Sequence, residues 1–156
     1  MLYRLYTPED FDALYAIEEV CFEPPFRFGR RYMKQVVSRA DAATWVAEES
    51  GRLGGFAIVE WALQTGGLVG YIATIEVMQE LRGKGAGGEL LRRVEGSAVD
   101  VGAQALWLHV DAENAGAIRL YVAHAYHCEG KNEEFYPNGR AALIFSKALG
   151  TRGEPA

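Results

Sequence analysis

The sequence predicts a single α/β domain on a mixed sheet, and three observations predict it. Short apolar runs rich in β-branched and aromatic residues recur along the chain, separated by glycine-containing turns, as strands are. Between them lie stretches whose apolar residues fall three and four apart, the helical spacing. In mid-chain an apolar run, a glycine-rich turn, a helical pattern and a second apolar run follow one another, the order of a right-handed parallel crossover. The length agrees: 156 residues is one domain's worth, long enough for one proper core.

Taken in order, Leu2 to Tyr6 alternates apolar and polar and reads as a short strand. Thr7 follows as a helix N-cap, with Pro8 at the first helical position and Glu9 and Asp10 in the first turn. That helix runs to about Cys21, with Phe11, Leu14, Tyr15, Ile17 and Val20 inward. Pro24 and Pro25 forbid its continuation. Phe22, Phe26 and Phe28 in the resulting loop either fold back onto the core or wall a binding groove, and both can hold together. A second helix spans Arg30 to Arg39. Trp45 to Glu49 is a strand, Ser50-Gly51-Arg52 a turn, and Leu53 to Trp61 the returning strand, with Gly54 and Gly55 marking a bulge. A turn over Gln64 to Gly67 leads into a strand from Leu68 to Met78, so the sheet begins as an antiparallel meander. The long helix from about Gly85 to Val101 turns Leu90, Leu91, Val94 and Ala98 inward. Ala105 to Val110 is a near-continuous apolar strand of the buried kind. Asp111 to Asn114 caps a helix running from Ala115 to about Ala125. Tyr126 to Phe135 is a strand, Tyr136 to Gly139 a turn, and Arg140 to Leu149 the last strand. This totals about seven strands and four helices over residues 1–150, with 151–156 a flexible tail.

Composition bounds the function. The chain is 49% hydrophobic and 24% charged, with a formal charge of −5. That charge argues against a general nucleic-acid binder, which would be basic, and favours basic over acidic macromolecular substrates. No signal peptide is legible at the N-terminus, and no apolar run reaches the ~20 residues a membrane helix needs. A cytoplasmic enzyme, monomeric or homodimeric, is the expectation. Cys21 and Cys128 lie far apart and form no disulfide framework or metal pair, so they read as reduced thiols. His109, His124 and His127 lack the spacing of a metal site, and no metal is expected.

The glycine-rich turn runs from Arg82 through Gly83, Lys84, Gly85, Ala86 and Gly87 to Gly88. Glycines let the chain turn sharply and let a ligand approach the main chain. The N–H groups of the following helix then favour an anion, typically phosphate, with Arg82 and Lys84 adding charge. Gly83-x-Gly85-x-x-Gly88 matches the dinucleotide fingerprint, but too few β–α units follow for a doubly wound fold. A Walker-type phosphate loop needs a string that is absent.

Two motifs carry a family resemblance. Arg82-Gly83-Lys84-Gly85-Ala86-Gly87 resembles the [R/Q]-x-x-G-x-[G/A] pattern of the GCN5-related N-acetyltransferase (GNAT) superfamily. Asn114-Ala115-Gly116-Ala117-Ile118-Arg119-Leu120-Tyr121 resembles its second hallmark, N-x-x-A-x-x-[L/F]-Y. The element order is similar from first strand to last. Within the superfamily the chain looks most like the protein N-terminal acetyltransferases of the ribosomal-protein alanine (RimI-like) group. Cys21-Phe22-x-x-Pro25, Tyr71-Ile72-x-Thr74 and Phe135-Tyr136-Pro137 carry that likeness, the last where the group tends to have Tyr-Tyr-Pro.

The resemblance implies acetyl transfer from acetyl-CoA to an amine. It implies that the CoA pyrophosphate sits on Arg82, Gly83, Lys84, Gly85, Ala86 and Gly87, with Gly88 opening the helix. It also implies that the Val77 backbone holds the pantetheine arm, and that Asn114 and Ala117 contribute to the cofactor site. Tyr121 occupies the general-acid position. The base position, twelve before Tyr121, holds His109, which some eukaryotic members pair with a tyrosine corresponding to Tyr71; Glu76 is the rival base. By analogy Phe22, Pro25, Phe26 and Tyr136 grip the first residues of a peptide. The competing expectations are the same fold acting on a small amine or lysine side chain, and a non-catalytic CoA-binding module. One departure stands out: where the family follows its tyrosine with x-x-x-Gly-Phe, this chain has Ala125-Tyr126.

Overall fold

Among the described residues, period-two and period-3.6 patterning become seven strands and four α-helices. The computed structural model describes residues 1–150; the tail expected over 151–156 lies outside the described residues. In chain order the elements are β1 (Leu2–Leu5), a 3-10 turn (Pro8–Asp10), α1 (Phe11–Cys21), α2 (Arg30–Val37), β2 (Ala42–Glu49), β3 (Arg52–Gln64) and β4 (Gly67–Val77). A second 3-10 turn (Gln79–Leu81) precedes α3 (Ala86–Asp100), β5 (Ala105–Asp111), α4 (Ala115–Ala123), β6 (His127–Asn132) and β7 (Ala142–Ala148). The strand order is β1-β2-β3-β4-β5-β7-β6. β4 and β5 run parallel, with Gly70 opposite Leu106 and Tyr71 opposite Trp107. The β1/β2, β2/β3, β5/β7 and β6/β7 pairs are antiparallel. The expected mixed sheet and its α3 crossover are therefore present.

Boundaries shift where pairing and burial part company. β3 continues to Gln64 rather than stopping at Trp61; its last residues pair without being buried, and Leu63 is 83% exposed. β6 stops at Asn132, and Glu134 just beyond it takes a positive φ of 52° that no strand accommodates.

The chain forms two compact units, Met1–Glu60 with Ala73–Val94, and Trp61–Ile72 with the described part of Glu95–Ala156. In the first, Phe11, Leu14 and Tyr15 of α1 and Met33 and Val36 of α2 pack with Phe56 in the core. Val20, expected inward, is 65% exposed. The α1 stripe at 11, 14 and 15 continues with helical spacing to position 18, so Glu18 takes the inward slot and is fully buried. Gly54 is the bulge: Ala47 pairs with Gly55 and Glu48 with Leu53. The bulge serves close packing. A Cβ at Gly54 would overlap the Leu81 side chain, and one at Gly55 would stand 2.8 Å from the Glu76 carbonyl. These two glycines thus bring the end of β4 and the 3-10 turn against β3, where Met78 N–H donates to the Gly54 carbonyl at 2.8 Å.

In the second unit Leu106, Leu108 and Val110 of β5 are buried along with Ala98, Tyr121, Tyr126 and Phe145. α4 ends two residues earlier than expected, because Ala125 adopts φ 69°. Ala125 N–H donates to the Val122 carbonyl at 3.1 Å and Tyr126 N–H to the Tyr121 carbonyl at 3.0 Å, the bonding of a Schellman cap. That position favours glycine, since an L side chain in the left-handed region costs ~1–2 kcal/mol. Ala125 is exposed, so its methyl contributes little packing in return. Ala125→Gly is expected to stabilise the fold by about 0.5–1 kcal/mol, the relieved strain offset by greater unfolded-chain entropy. Thermal denaturation should show a melting temperature a few degrees higher; a lower one would mean the cap is not strained.

Candidate active site

The glycine turn lies wholly in the first unit. Gly83 and Gly85 adopt φ 79° and 82°, the region that only glycine enters without strain. The Gly85 carbonyl accepts from Glu89 N–H at 3.0 Å, so Gly85 caps α3 and the helix opens at Ala86 rather than Gly88. The N–H groups of Ala86, Gly87 and Gly88 then form a first turn with no intrahelical acceptor. Arg82 and Lys84 are exposed beside it. Arg82 Nε donates to the Val77 carbonyl at 3.0 Å. The Cys21 thiol is 3.9 Å from the same oxygen; burial, with help from the Glu76 charge, pushes its pKa up, so it remains a thiol. Cys21 and Cys128 are both free.

Glu76 shares the pleat parity of Ile72 and Thr74 on the buried side of β4, opposite to that of Tyr71. Its Oε2 accepts from Thr74 Oγ1 at 2.8 Å. Glu18 Oε2 accepts from Phe28 N–H at 2.9 Å. The remaining Oε1 atoms of both residues are buried without a partner. Burial first, then the neighbouring Glu18 carboxyl, raises the Glu76 pKa. A carboxyl so buried keeps its proton at neutral pH. A group whose folded pKa is raised stabilises fully below its unfolded value near ~4.3 and loses that contribution as pH rises toward its folded value. Stability should therefore fall with pH above that point, by at most about 1.4 kcal/mol per unit. Glu76→Gln supplies the donor permanently, so its melting temperature should be flatter between pH 5 and 9 than that of the parent. An unchanged slope would mean that Glu76 carries no proton in the folded state.

The loop at 22–29 does fold back. Phe22 N–H caps α1 through the Glu18 carbonyl at 3.0 Å, and Phe26 N–H closes a turn onto Glu23 at 2.8 Å. Tyr15 OH donates to the Phe28 carbonyl at 2.8 Å, and Phe28 packs against the core. Phe22 and Phe26 stay half-buried and Pro25 is exposed, so these three keep surface to offer a ligand.

In the second unit, parallel pairing of β4 with β5 brings Tyr71 and His109 together. The Tyr71 hydroxyl is 2.9 Å from His109 Nδ1. Trp107, two residues before His109 on the same face, packs on Tyr71 at 4.6 Å and on His109 at 5.3 Å between ring centroids. Phe135 stacks flat on the imidazole at 4.1 Å and 15°, and Tyr136 meets Phe135 edge-on at 5.0 Å. Desolvation lowers the His109 pKa, so the ring is neutral at pH 7. Tyr121 is buried on α4. Burial raises its pKa, and the nearby Tyr136 and Tyr71 phenols raise it further. Burial likewise pushes Tyr136 up to about 12. Tyr121 and Tyr136 therefore keep their protons at neutral pH. Asn114 caps α4 by accepting from Ala117 N–H at 3.1 Å, so the predicted pair of cofactor residues is bonded to itself through the cap. Arg140 engages Asp111 at 2.8 Å and Glu113 at 3.1 Å.

Sequence reasoning named Tyr71, His109, Tyr121 and Tyr136 as site candidates but not Trp107 or Phe135, whose rings pack on His109. The signals were there: Trp107 has the parity of His109 on the same strand, and Phe135 stands in the Tyr-Tyr-Pro position. No group of three or more His, Cys, Asp or Glu among the described residues could hold a metal ion. No helix among them is long and apolar enough to cross a membrane.

Known proteins share this arrangement of elements. An uncharacterized N-acetyltransferase of Methanocaldococcus jannaschii is 26% identical over 150 residues, 94% of this chain and 91% of that protein. Streptothricin acetyltransferase of Streptomyces lavendulae is 42% identical over 112 residues, 69% of this chain and 58% of that protein. Among solved structures, the ribosomal-protein-S18-alanine N-acetyltransferase of Escherichia coli superposes with a TM-score of 0.84 at 23% identity, covering 99% of this chain and 97% of that one. NAA60 of Arabidopsis thaliana in complex with acetyl-CoA gives 0.85 at 23% identity, covering 95% and 98%. The sequence profile of the acetyltransferase (GNAT) family matches residues 11–126, from the first residue of α1 through the Tyr126 cap. With the glycine turn, the Asn114–Tyr121 helix and the seven-stranded order all inside or around that match, the chain belongs to the GNAT acetyltransferase family.

Proposed function

We propose that this protein transfers the acetyl group of acetyl-CoA to the α-amine of a peptide or protein N-terminus, in the reducing cytoplasm. The observation that carries the reading is the 2.9 Å contact between the Tyr71 hydroxyl and a neutral His109. An amine acceptor needs a group to take its proton, and an α-amine with pKa near ~7.7–8.0 needs only a modest one.

The residues of the glycine turn fit CoA. Its pyrophosphate is anionic, and the α3 N-terminus presents unbonded N–H groups beside exposed Arg82 and Lys84. Gly83 and Gly85 supply the backbone turn, and nothing lies within 4 Å of where their Cβ atoms would stand, so the main chain there is open to approach. Val77, Asn114 and Ala117 complete the proposed cofactor set. When bound, acetyl-CoA supplies the thioester carbonyl that the amine attacks.

The chain's own groups then move and hold protons. In the tautomer that carries its proton on Nδ1, toward the Tyr71 oxygen, His109 Nε2 presents a lone pair that takes the amine proton, directly or through a water. Tyr121 donates a hydrogen bond to the sulfur as the carbon–sulfur bond breaks. Its raised pKa keeps the proton on the phenol until charge develops on sulfur. Glu76, engaged by Thr74 and Glu18, ranks behind His109 as base. Phe22, Pro25, Phe26 and Tyr136 take the first residues of the acceptor.

A small-molecule amine is the second reading, supported by the 42% identity to streptothricin acetyltransferase. A panel separates them: peptides with free amino termini, the same peptides blocked but carrying an internal lysine, and streptothricin with polyamines, each assayed for CoA release. Turnover confined to free termini is expected. Acetylation of the small amines with none of any free-terminus peptide would reverse the order, and no acetylation of anything would leave a CoA-binding module.

A further inference from the structure

The Ala125-Tyr126 departure from the family pattern is where the structure adds most. Tyr121 lies in the last turn of α4, and helix ends fray. Here the end is tied. In the Schellman cap Tyr121 is the residue whose carbonyl accepts from Tyr126 N–H, at 3.0 Å. That motif brings the two side chains together, and their rings meet edge to face at 5.7 Å and 64°. Tyr126 is itself anchored. It is 2% exposed, and its hydroxyl donates to Glu95 Oε2 at 2.8 Å. Lys147 Nζ donates to the same oxygen at 3.1 Å and lies 5.5 Å from the centre of the Tyr126 ring. Glu95 stands on α3 and Lys147 on β7, so three elements converge on one phenol. Burial, then the Glu95 charge and hydrogen bond, raises the Tyr126 pKa, so it stays a donor. A phenylalanine, which the family carries here, would pack the ring but could not reach Glu95.

We propose that Tyr126, held by Glu95 and Lys147, is a positioning residue that fixes the Tyr121 ring, and with it the hydroxyl facing the departing sulfur. This rests on the proposed role of Tyr121. The cap sets the direction of the last helical turn, the anchored ring sets how far Tyr121 can rock, and small displacements of a reacting group cost large factors in rate.

The test is a double-mutant cycle with Tyr121→Phe and Tyr126→Phe, assayed with acetyl-CoA and whichever acceptor of the panel above reacts fastest. Tyr126→Phe should lower kcat about tenfold while the KM for acetyl-CoA, the KM for the acceptor and the calorimetric CoA affinity stay unchanged. In the Tyr121→Phe background it should lower kcat no further, because no hydroxyl remains to be positioned. Tyrosine-ring NMR gives a readout apart from turnover: the Tyr121 ring signals should broaden or shift in Tyr126→Phe. Glu95→Gln, which keeps the volume and loses the charge, should act in the same direction, more weakly, and not add to Tyr126→Phe; it serves if Tyr126→Phe folds poorly. Unchanged kcat in Tyr126→Phe, or the same loss in both backgrounds, would overturn the positioning role. Full turnover by Tyr121→Phe alone would instead overturn the role of Tyr121, and this inference with it.

Discussion

Tyr121→Phe should lower kcat by about 10²–10⁴-fold, the usual worth of a positioned proton donor, while leaving CoA affinity intact. The expectation rests on where the phenol sits. Tyr121 is buried, and burial holds its pKa above the ordinary value of 10.0. A buried phenol that keeps its proton is a fixed hydrogen-bond donor, and such a donor is worth most where charge develops away from water. The departing thiolate, with a pKa near ~8.5 for an ordinary thiol, is a modest base toward so reluctant an acid. Its stabilisation therefore depends on the geometry of the hydrogen bond rather than on early proton transfer. The same raised pKa predicts no decline of kcat with rising pH below about pH 10 from this group. Phenylalanine keeps the ring contacts with Tyr126 and Phe145, so the melting temperature should change little. Steady-state kinetics with calorimetric CoA binding separate the outcomes: loss of CoA affinity with unchanged kcat would make Tyr121 a cofactor contact instead.

His109→Ala should reduce kcat/KM for the acceptor by about 10²–10⁴-fold at neutral pH and change the shape of the pH profile. Desolvation lowers the His109 pKa below 6.5, so the imidazole becomes a competent base only above that lowered value. The acceptor's own α-amine deprotonates higher, near ~7.7–8.0. In the parent protein, log kcat/KM should therefore rise with slope two at the acid extreme, one proton from each group, and with slope one between the two values. His109→Ala should show slope one throughout, because only the acceptor's proton remains. Tyr71→Phe should retain slope two with a shifted lower value, since the Tyr71 hydroxyl bonds Nδ1. A profile identical to the parent in His109→Ala, combined with a large loss in Glu76→Gln, would move the base to Glu76.

Much of the fold and part of the site were legible in the chain. Local backbone chemistry was readable because it depends on a few neighbouring residues. Two prolines end α1, glycines turn the chain before α3, and Asn114 caps α4. The order of strands and helices, the α3 crossover and the GNAT resemblance followed from such features. Boundaries were less legible where backbone pairing extends a strand past its buried part, as in β3, or where a residue enters the left-handed region against its preference, as Ala125 does.

What the sequence by itself determined was therefore the sequence of elements, the backbone turn before α3, and the candidacy of Tyr71, His109 and Tyr121. Only the tertiary structure decided how those side chains meet. It set Glu76 beside Glu18, where burial raises the Glu76 pKa. It stacked Phe135 on His109 and brought Tyr71 to its Nδ1 through the parallel β4/β5 register. It also tied Tyr126 to Glu95 and Lys147. The reason is physical: pleat parity and turn chemistry are local, whereas desolvation and side-chain contact depend on partners 20 to 60 residues away along the chain, which no local pattern encodes.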